Sequence, residues 1–356
     1  MRADPAPSSR YLRYCPLPIP LLAGAAALML AGCQGDAPTA DGTSDGSGLP
    51  VRPISLAPAA FTAGQLSTHR LVRTFGTIAT RTSVRPSSAF GDPVNNSPFD
   101  LTYVGGPVVT SARNWNVYVN CDGGPASCWG TGHLTPATFL RDLNRSPFIR
   151  IANQYLGTEA AGQFRVSELG ISPVPFAAFS ITNTTPTATI DDIFAILFSA
   201  AAATGATGYT NMYHVFLPQG TDMCIDVGLC YSPDDFLSWV FCAFHGSVDL
   251  PDPADPSNPA LSIHVLFSVE PYQAVGGCSL PSQAPNGVID ATASTLSHEF
   301  FETITDPDLN AWFNFLTGEE VADLCSAFAS NERMNNHFYS IQTEYSNKTH
   351  LCTNRL

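Results

Sequence analysis

The residues best suited to chemistry lie in one stretch of the chain, Leu296-Ser-His-Glu-Phe-Phe-Glu302. In a helix, His298 and Glu302 lie one turn apart on the same face, with Cβ atoms about 5–6 Å apart, close enough to hold one metal ion. The spacing matches the HExxH pattern, in which two ligands bind zinc and the Glu after the first ligand is a general base. Glu302 replaces the second His of that pattern, and Glu is also a zinc ligand. The stretch therefore predicts a Zn²⁺ site with Glu299 as the base.

An ordinary amphipathic helix is the alternative interpretation of the same residues. In that case Leu296, Phe300 and Phe301 contact the core, while Glu299 and Glu302 lie in solvent. The two interpretations differ in the burial of the acids. Several carboxylates that share a dry pocket repel one another and favour a bound cation, whereas solvated carboxylates need none.

A third ligand is expected from Gly318-Glu-Glu-Val-Ala-Asp-Leu-Cys325. Glu320 and Asp323 are three positions apart, so a helix would present both to one side. The order resembles the thermolysin type of site, in which a ligand Glu precedes an Asp that orients the first histidine through its free ring nitrogen. Glu320 is then the metal ligand and Asp323 the partner of His298, or the two roles are exchanged.

The other chemical signals in the chain are weaker. Among the remaining histidines, His245 in Cys242-Ala-Phe-His-Gly is the further candidate for a site role. The sequence contains no Gly-x-Ser-x-Gly elbow and no phosphate-binding loop. A cysteine nucleophile is disfavoured because the cysteines are expected to form disulfides.

The elements that position these residues follow from hydrophobic periodicity and from turn residues. The motif helix is expected to end near Thr305, because Pro307 cannot continue it and disfavours helical geometry at Asp306. We predict other helices over 135–156 and 187–203, and strands over 101–110, 115–120, 174–181, 212–217 and 263–269. Together these predict an α+β, zincin-like single domain with a mixed sheet and a helix that carries the motif.

The charge of the chain excludes nucleic acid as a partner. The 356 residues carry a formal net charge of −14, and residues 101–356 hold 8 Lys plus Arg against 24 Asp plus Glu. An acidic domain without a basic stripe repels phosphate backbones. The composition is typical of a secreted domain that its acidic surface keeps soluble.

The cysteines predict a disulfide-bonded domain in an oxidising compartment. Without Cys15 and Cys33, eight of the ten cysteines remain, an even number. We expect Cys121 to pair with Cys128 and Cys325 with Cys352. A structural zinc–thiolate cluster is the alternative, but the sequence lacks a C-x-x-C pair.

The N-terminus predicts attachment to a membrane by lipid. Residues 1–32 combine arginines with an apolar run that ends in Leu30-Ala-Gly-Cys33, which resembles the lipobox of a bacterial lipoprotein signal peptide. Cys33 is then the lipidated first residue of the mature protein, with a plain signal peptide as the alternative. Gln34 after the cysteine favours the outer membrane in a bacterium with two membranes.

Residues 33–99 and residues 100–356 differ in composition. The first segment is rich in Gly, Ser, Thr, Pro, Ala and Asp, with few large apolar residues. Such a segment cannot bury enough surface to offset its ordering entropy. We therefore predict a low-complexity tether over 33–99 and the folded domain over 100–356.

Several short blocks follow one another between residues 101 and 330. They are Tyr103-Val-Gly-Gly-Pro-Val, Cys242-Ala-Phe-His-Gly, Pro285-Asn-Gly with Asp290, Ser297-His-Glu with Glu302, Thr305-Asp-Pro, Asn310-Ala-Trp and Glu320-Val-Ala-Asp-Leu-Cys325. In this order they resemble the EXORDIUM-like (phosphate-induced) family of secreted proteins and its bacterial relatives. The resemblance implies a secreted, disulfide-bearing domain, and plant members are linked to growth responses at the cell wall.

These observations predict a zinc-dependent hydrolase of the metallopeptidase type at the bacterial cell envelope, acting on a peptide or cell-wall substrate. The ligands are His298, Glu302 and either Glu320 or Asp323, and Glu299 is the base. The alternative is a non-catalytic cell-surface or cell-wall binding protein of the EXORDIUM-like type, either envelope-bound or extracellular, in which the same acids are structural or bind calcium.

Overall fold

The computed structural model of the chain describes residues 43–44, 53–56, 97–130, 133–177, 185–226, 228–232, 240–258, 260–274, 278 and 286–356. All of these belong to one compact unit that spans residues 40–356. The predicted signal peptide and the lipidation site Cys33 lie outside the described residues. Within the described residues, no helix combines the length and apolar character that a membrane span requires.

The described elements alternate between strands and helices along much of the chain. In chain order they are β1 (Thr43–Ser44), β2 (Pro53–Ile54), β3 (Thr102–Tyr103), β4 (Ala112–Val119), α1 (Pro125–Cys128), α2 (Pro136–Leu143), α3 (Asn153–Leu156), β5 (Phe164–Ile171), β6 (Thr187–Thr189), α4 (Ile190–Thr204), β7 (Asn211–Phe216), β8 (Asp222–Asp226), β9 (Leu229–Tyr231), β10 (Phe244–Pro251), β11 (Ser262–Glu270), α5 (Val288–Thr305), β12 (Trp312–Phe313), β13 (Ala329–Met334), β14 (His337–Gln342), β15 (Glu344–Ser346) and β16 (Leu351–Thr353). Short 3-10 turns cover Phe148–Ala152, Gly208–Thr210 and Asp323–Cys325.

The main sheet has the strand order β1-β5-β4-β7-β11-β10, with β2 also paired to β5. Strands β5, β4, β7 and β11 pair with one another in parallel, and β10 is antiparallel to β11. Smaller sheets join β12 to β3, β13 to β14, β15 to β16, and β6 to β8 and β9. The prediction of a protein of α and β class with a mixed sheet is confirmed, and the parallel strands linked through helices make the class mixed α/β.

Two dipeptides of the low-complexity segment pair with the main sheet. Strand β1 is antiparallel to β5, and β2 is parallel to it. Pairing at a sheet edge uses backbone N–H and C=O groups, so it needs no apolar side chains. Composition alone therefore gives no signal for it.

The two faces of the main sheet cover separate cores. On one face, apolar residues of the strands pack with helix α4, through Ile193, Phe194 and Leu197. On the other face they pack with α2 and α5, and the β13–β14 hairpin belongs to the same core. Helix α5 therefore lies inside the protein, with the main sheet on one side and β14 on the other.

Helix α5 begins after Gly287, whose φ of 62° suits glycine, and ends at Thr305 as predicted. At its first turn, Asp290 accepts hydrogen bonds from the backbone N–H groups of Asn286 (2.9 Å) and of Ser340 in β14 (3.1 Å). Every residue from Ile289 to Thr305 is buried. The alternative interpretation, in which acids of this helix lie in solvent, is therefore wrong.

Other boundaries differ from the sequence-based expectations. The single helix expected over 135–156 is broken after Leu143, because Pro147 cannot donate a helical hydrogen bond and starts a separate 3-10 turn. Strand β5 was not predicted, whereas residues 174–176 of the strand expected over 174–181 are irregular. Strands β7 and β11 agree with their predictions within two residues.

Four disulfides are present, as predicted. They join Cys121 to Cys128, Cys224 to Cys230, Cys242 to Cys278 and Cys325 to Cys352. Both specific pairings that the sequence suggested are confirmed, and the zinc–thiolate alternative is wrong for these cysteines.

Asp306 holds the loop that follows helix α5. Its Oδ1 accepts hydrogen bonds from the backbone N–H groups of Asn310 (2.6 Å) and Ala311 (2.7 Å). We expect Asp306→Ala to lower the free energy of unfolding by about 2–4 kcal/mol, because it removes the acceptor of two bonds to a charged group. Asp306→Asn keeps a carbonyl acceptor and is expected to cost less than half of that. Urea unfolding of both variants checks this, and equal losses would contradict it.

A row of polar side chains crosses the α5 side of the main sheet. The cross-strand partners are Glu168 with Asn116, Asn116 with His214, His214 with Ser268, and Ser268 with His245. Both ring nitrogens of His214 are hydrogen-bonded, Nδ1 with Ser268 Oγ at 2.8 Å and Nε2 with Asn114 Oδ1 at 3.0 Å. The row brings His245, at its end, beside helix α5.

His214 is expected to make stability depend on pH. Burial lowers the pKa of His214 from 6.5 to about 3. The unfolded chain therefore binds more protons than the folded chain between these values, so stability is full above pH 6.5 and falls as the pH decreases. At pH 5 the cost is about 2 kcal/mol. Urea unfolding at pH 7.5 and 5.0 checks this: the acid-induced loss should be smaller by about this amount in His214→Asn, and an unchanged loss would contradict it.

Candidate metal centre

Two histidines and a set of carboxylates meet inside the protein beside helix α5. Helix α5 contributes three residues, β10 one histidine, and the segment around the 3-10 turn at Asp323–Cys325 two acids. These residues are His298, Glu299, Glu302, His245, Glu320 and Asp323, which we call the acid–histidine cluster. The sequence predicted five of the six as site residues, and the structure brings all six together.

The first half of the acid–histidine cluster surrounds Nε2 of His298. Glu302 Oε1 lies 3.1 Å from this nitrogen and Asp323 Oδ1 lies 3.5 Å from it. The backbone N–H of Asp323 also donates to Glu302 Oε1, at 3.2 Å. His298 Nδ1 is 3.3 Å from Oε1 of Gln342, which orients the ring. One ring nitrogen of His298 thus faces two carboxylates, and the other is held by an amide oxygen.

The second half surrounds Nδ1 of His245. Glu299 Oε2 lies 3.3 Å from this nitrogen and Glu302 Oε2 lies 3.4 Å from it. On the other side of the ring, Nε2 is 3.6 Å from Glu320 Oε1. Each half of the cluster is therefore a group of one His and two carboxylates whose ligand atoms lie within 4.8 Å of one another. Glu302 belongs to both groups.

The roles of Glu320 and Asp323 depend on local structure that the sequence did not reveal. The predicted helix around them is wrong: Glu320 lies in a loop, and Asp323 begins a three-residue 3-10 turn. Asp323 and Glu302 both face Nε2 of His298, so Asp323 lies where a metal ligand would lie. Glu320 lies beside His245 instead, and Gln342 takes the orienting position.

Many polar atoms in the acid–histidine cluster are buried and make no hydrogen bond within the described part of the chain. They are His245 Nε2, His298 Nε2, Glu299 Oε1, Glu302 Oε2, both carboxylate oxygens of Glu320, and Asp323 Oδ1. Buried polar atoms are nearly always hydrogen-bonded, because leaving them unpaired costs free energy. Such a concentration of unpaired atoms in one place indicates a ligand that pairs with them.

The charges in the cluster also indicate that a positively charged ligand binds there. The ion pairs of its carboxylates join them to His245 or His298, and no Lys or Arg of the described residues takes part. Burial lowers the pKa of His245 and of His298, but the surrounding carboxylates outweigh burial and raise both. Burial raises the pKa of Glu320 well above its usual value. Among the described residues, the site thus contains no Lys or Arg charge, and its carboxylates favour protonation of the two histidines where no cation is bound.

Two further buried acids lie around the cluster. Burial is the largest cause that raises the pKa of Glu344 well above its usual value and that of Glu270 to about 8. Glu344 Oε1 accepts a hydrogen bond from Ser297 Oγ at 3.4 Å, and Glu270 Oε1 accepts one from Ser268 Oγ at 2.9 Å. Both acids therefore hold a proton more tightly than an exposed carboxyl group does.

The fold and the cluster define a disulfide-bonded protein of mixed α/β class whose core encloses two histidines and four closely spaced carboxylates. Comparison with known proteins adds no family to this description. No protein-family model matches the chain, no curated protein matches it, and no solved structure matches its fold. The function is therefore argued from the site itself.

Proposed function

We propose that this protein is a zinc-dependent hydrolase of the metallopeptidase type. The observation that carries the proposal is the convergence of two carboxylate oxygens, Glu302 Oε1 at 3.1 Å and Asp323 Oδ1 at 3.5 Å, on the buried Nε2 of His298. His298, Glu302 and Asp323 would hold Zn²⁺, a metal that N and O ligands of these types bind. The His-Glu-x-x-Glu motif on helix α5 would bind the metal in the way that the motif helix of a zincin does. Gln342 would hold the ring of His298 in position, as metal sites commonly require.

The chemistry needs one base close to the metal. Zinc would lower the pKa of a bound water toward about 7. Glu299, beside the first ligand on helix α5, would accept the proton of that water as the oxygen forms a bond to the substrate carbonyl carbon. Glu299 would then give the proton to the leaving nitrogen as the C–N bond breaks.

A structural metal site in a cell-surface binding protein is the second candidate. The observation in its favour is burial: His298, Glu299 and Glu302 are fully inaccessible, and the Asp323 side chain is only 11% exposed. A closed site with no position for water or substrate holds a metal for stability alone. If only the carboxylate oxygens of the site bind the metal, calcium would be the bound ion.

We propose the same cellular location for both candidates. A lipid on Cys33 would anchor the protein to the bacterial envelope, and the disulfides suit an oxidising compartment. Membership of the EXORDIUM-like family, with its link to the cell wall, is part of the same proposal and rests on the sequence blocks between residues 101 and 330.

The test is zinc-dependent hydrolysis by the full chain, purified in oxidised form without chelator. We expect hydrolysis of a library of fluorescence-quenched peptides, its loss after dialysis against chelator, and its recovery with Zn²⁺. Glu299→Gln is expected to lower the rate by about 10²–10⁴-fold, the usual contribution of a general base. Zinc at His298 should remain bound in that variant.

Glu319→Gln is the matched control, because Glu319 is adjacent in sequence to Glu320 but outside the acid–histidine cluster, and it should keep full activity. Zinc bound without any hydrolysis would favour the structural candidate. Absence of bound zinc in the wild-type chain, even after zinc is supplied, would overturn the hydrolase and leave the binding protein as the better account.

A further inference from the structure

We propose that the acid–histidine cluster binds two divalent metal ions bridged by the carboxylate of Glu302. His298 and Asp323 complete the first site, and His245 and Glu299 complete the second. This inference rests on the proposed function for the first ion and adds a second ion that the sequence motif does not contain.

The bridge follows from the position of Glu302 between the two histidines. Its Oε1 lies 3.1 Å from His298 Nε2, and its Oε2 lies 3.4 Å from His245 Nδ1. The two oxygens of one carboxylate thus face ring nitrogens of different histidines. Two-metal hydrolase sites hold their ions about 3.5–4 Å apart, a separation that such a carboxylate can bridge.

The two sites have the same composition. Each has one histidine nitrogen, one oxygen of Glu302 and one further carboxylate, from Asp323 in the first site and Glu299 in the second. The resemblance extends to the far side of each ring. His298 Nδ1 faces the amide oxygen of Gln342 at 3.3 Å, and His245 Nε2 faces Glu320 at 3.6 Å. Metal-bound histidines usually direct their second nitrogen to an oxygen acceptor in this way.

Charge supports two ions over one. The four carboxylates nearest the two histidines carry four negative charges when they are ionised, and two divalent ions neutralise them. A single ion leaves two negative charges in a buried volume, where each unpaired charge costs several kcal/mol. A single ion at His298 also leaves Glu299 Oε1 without a partner among the described residues.

The second ion changes what the residues around His245 do. Glu299 is the base while only the ion at His298 is bound, and it becomes a ligand of the second ion when that ion is present. Glu320 then orients His245. His245 lies on β10, in a different part of the chain from the motif, so the second site exists only once the main sheet and helix α5 have packed together.

The test is the number of zinc ions per chain, measured by inductively coupled plasma mass spectrometry on the full chain after saturation with Zn²⁺ and dialysis. We expect two ions in the wild type, one in His245→Asn, one in Glu299→Gln and one in His298→Asn. His264→Asn is the matched control and should keep two. His264 also lies between two carboxylates, Asp249 at 2.8 Å and Asp308 at 3.2 Å, but outside the cluster. Circular dichroism verifies that each variant is folded.

A second readout uses the wild-type chain alone. Loading with two equivalents of Mn²⁺ should give the exchange-coupled electron paramagnetic resonance signal of a bridged pair in place of the six-line signal of isolated ions.

One zinc per chain, lost in His298→Asn and kept in His245→Asn, would overturn the second site and leave the proposed function intact. No zinc in the wild type would overturn both. Two zinc ions that both persist in His245→Asn, or isolated Mn²⁺ signals, would overturn the bridged arrangement.

Discussion

Glu302→Gln is expected to have the largest effect on function of any single substitution in the chain. Glu302 contacts both histidines of the cluster, His298 at 3.1 Å and His245 at 3.4 Å. The substitution keeps the size of the side chain but removes its negative charge and one of its two metal-binding oxygens. We expect zinc content to fall from two ions per chain to fewer than one, and hydrolysis to fall by at least about 10³-fold, since both the Lewis acid and its bound water are lost.

Thermal unfolding separates this loss of metal from a loss of fold. A ligand that binds only the folded state raises its stability, so chelator should lower the melting temperature of the wild type. The melting temperature of Glu302→Gln should not respond to chelator, because the variant holds little metal. Glu319→Gln should behave as the wild type does. A Glu302→Gln protein that keeps both its zinc and its response to chelator would show that Glu302 is not a ligand.

Removal of the Cys242–Cys278 disulfide is expected to lower the free energy of unfolding strongly and also to disturb the position of His245 in the cluster. The two cysteines are 36 residues apart in sequence. In the chain-entropy model, loss of a crosslink over this separation costs about 4 kcal/mol. Cys242 lies three residues before His245, and its carbonyl accepts a hydrogen bond from Gln273 Nε2 at 3.0 Å. The disulfide therefore fixes the start of β10, the strand that positions His245.

The Cys242→Ala/Cys278→Ala double variant is expected to lose the zinc at His245 more readily than the zinc at His298. The matched control removes Cys121–Cys128, which are seven residues apart, at an expected cost of about 2.5 kcal/mol and no change in zinc content. Urea unfolding gives the two costs, and zinc affinity comes from competition with a coloured chelator. Equal zinc affinities in the two double variants would contradict a role for Cys242–Cys278 in positioning His245.

The sequence predicted the motif helix well because its signals are local. The spacing of His298 and Glu302 depends only on helical periodicity, and the end of the helix depends only on Pro307. The short-range pair Cys121–Cys128 could be proposed for a similar reason, since near neighbours meet at little entropic cost. Strands β7 and β11, with their runs of buried apolar residues, are further cases in which the local pattern was sufficient.

The rest of the site depends on contacts between distant parts of the chain. His245 reaches helix α5 because its strand joins the edge of the main sheet beyond β11, and no spacing in the sequence encodes that order. Gln342 reaches His298 across 44 positions. The roles of Glu320 and Asp323 were left open for the same reason, because their loop takes its shape from packing against α5. Burial of Glu299 and Glu302 decides between the metal site and the solvated helix, and it is a property of the whole fold.

Anomalous X-ray scattering at the zinc edge, measured on crystals of the zinc-loaded full chain, tests the central claim most directly. We predict two peaks inside the acid–histidine cluster, one beside His298 and one beside His245, about 3.5–4 Å apart with Glu302 between them. A single peak beside His298 would retain the hydrolase site and remove the second ion. Absence of any zinc peak within the cluster would contradict the account as a whole.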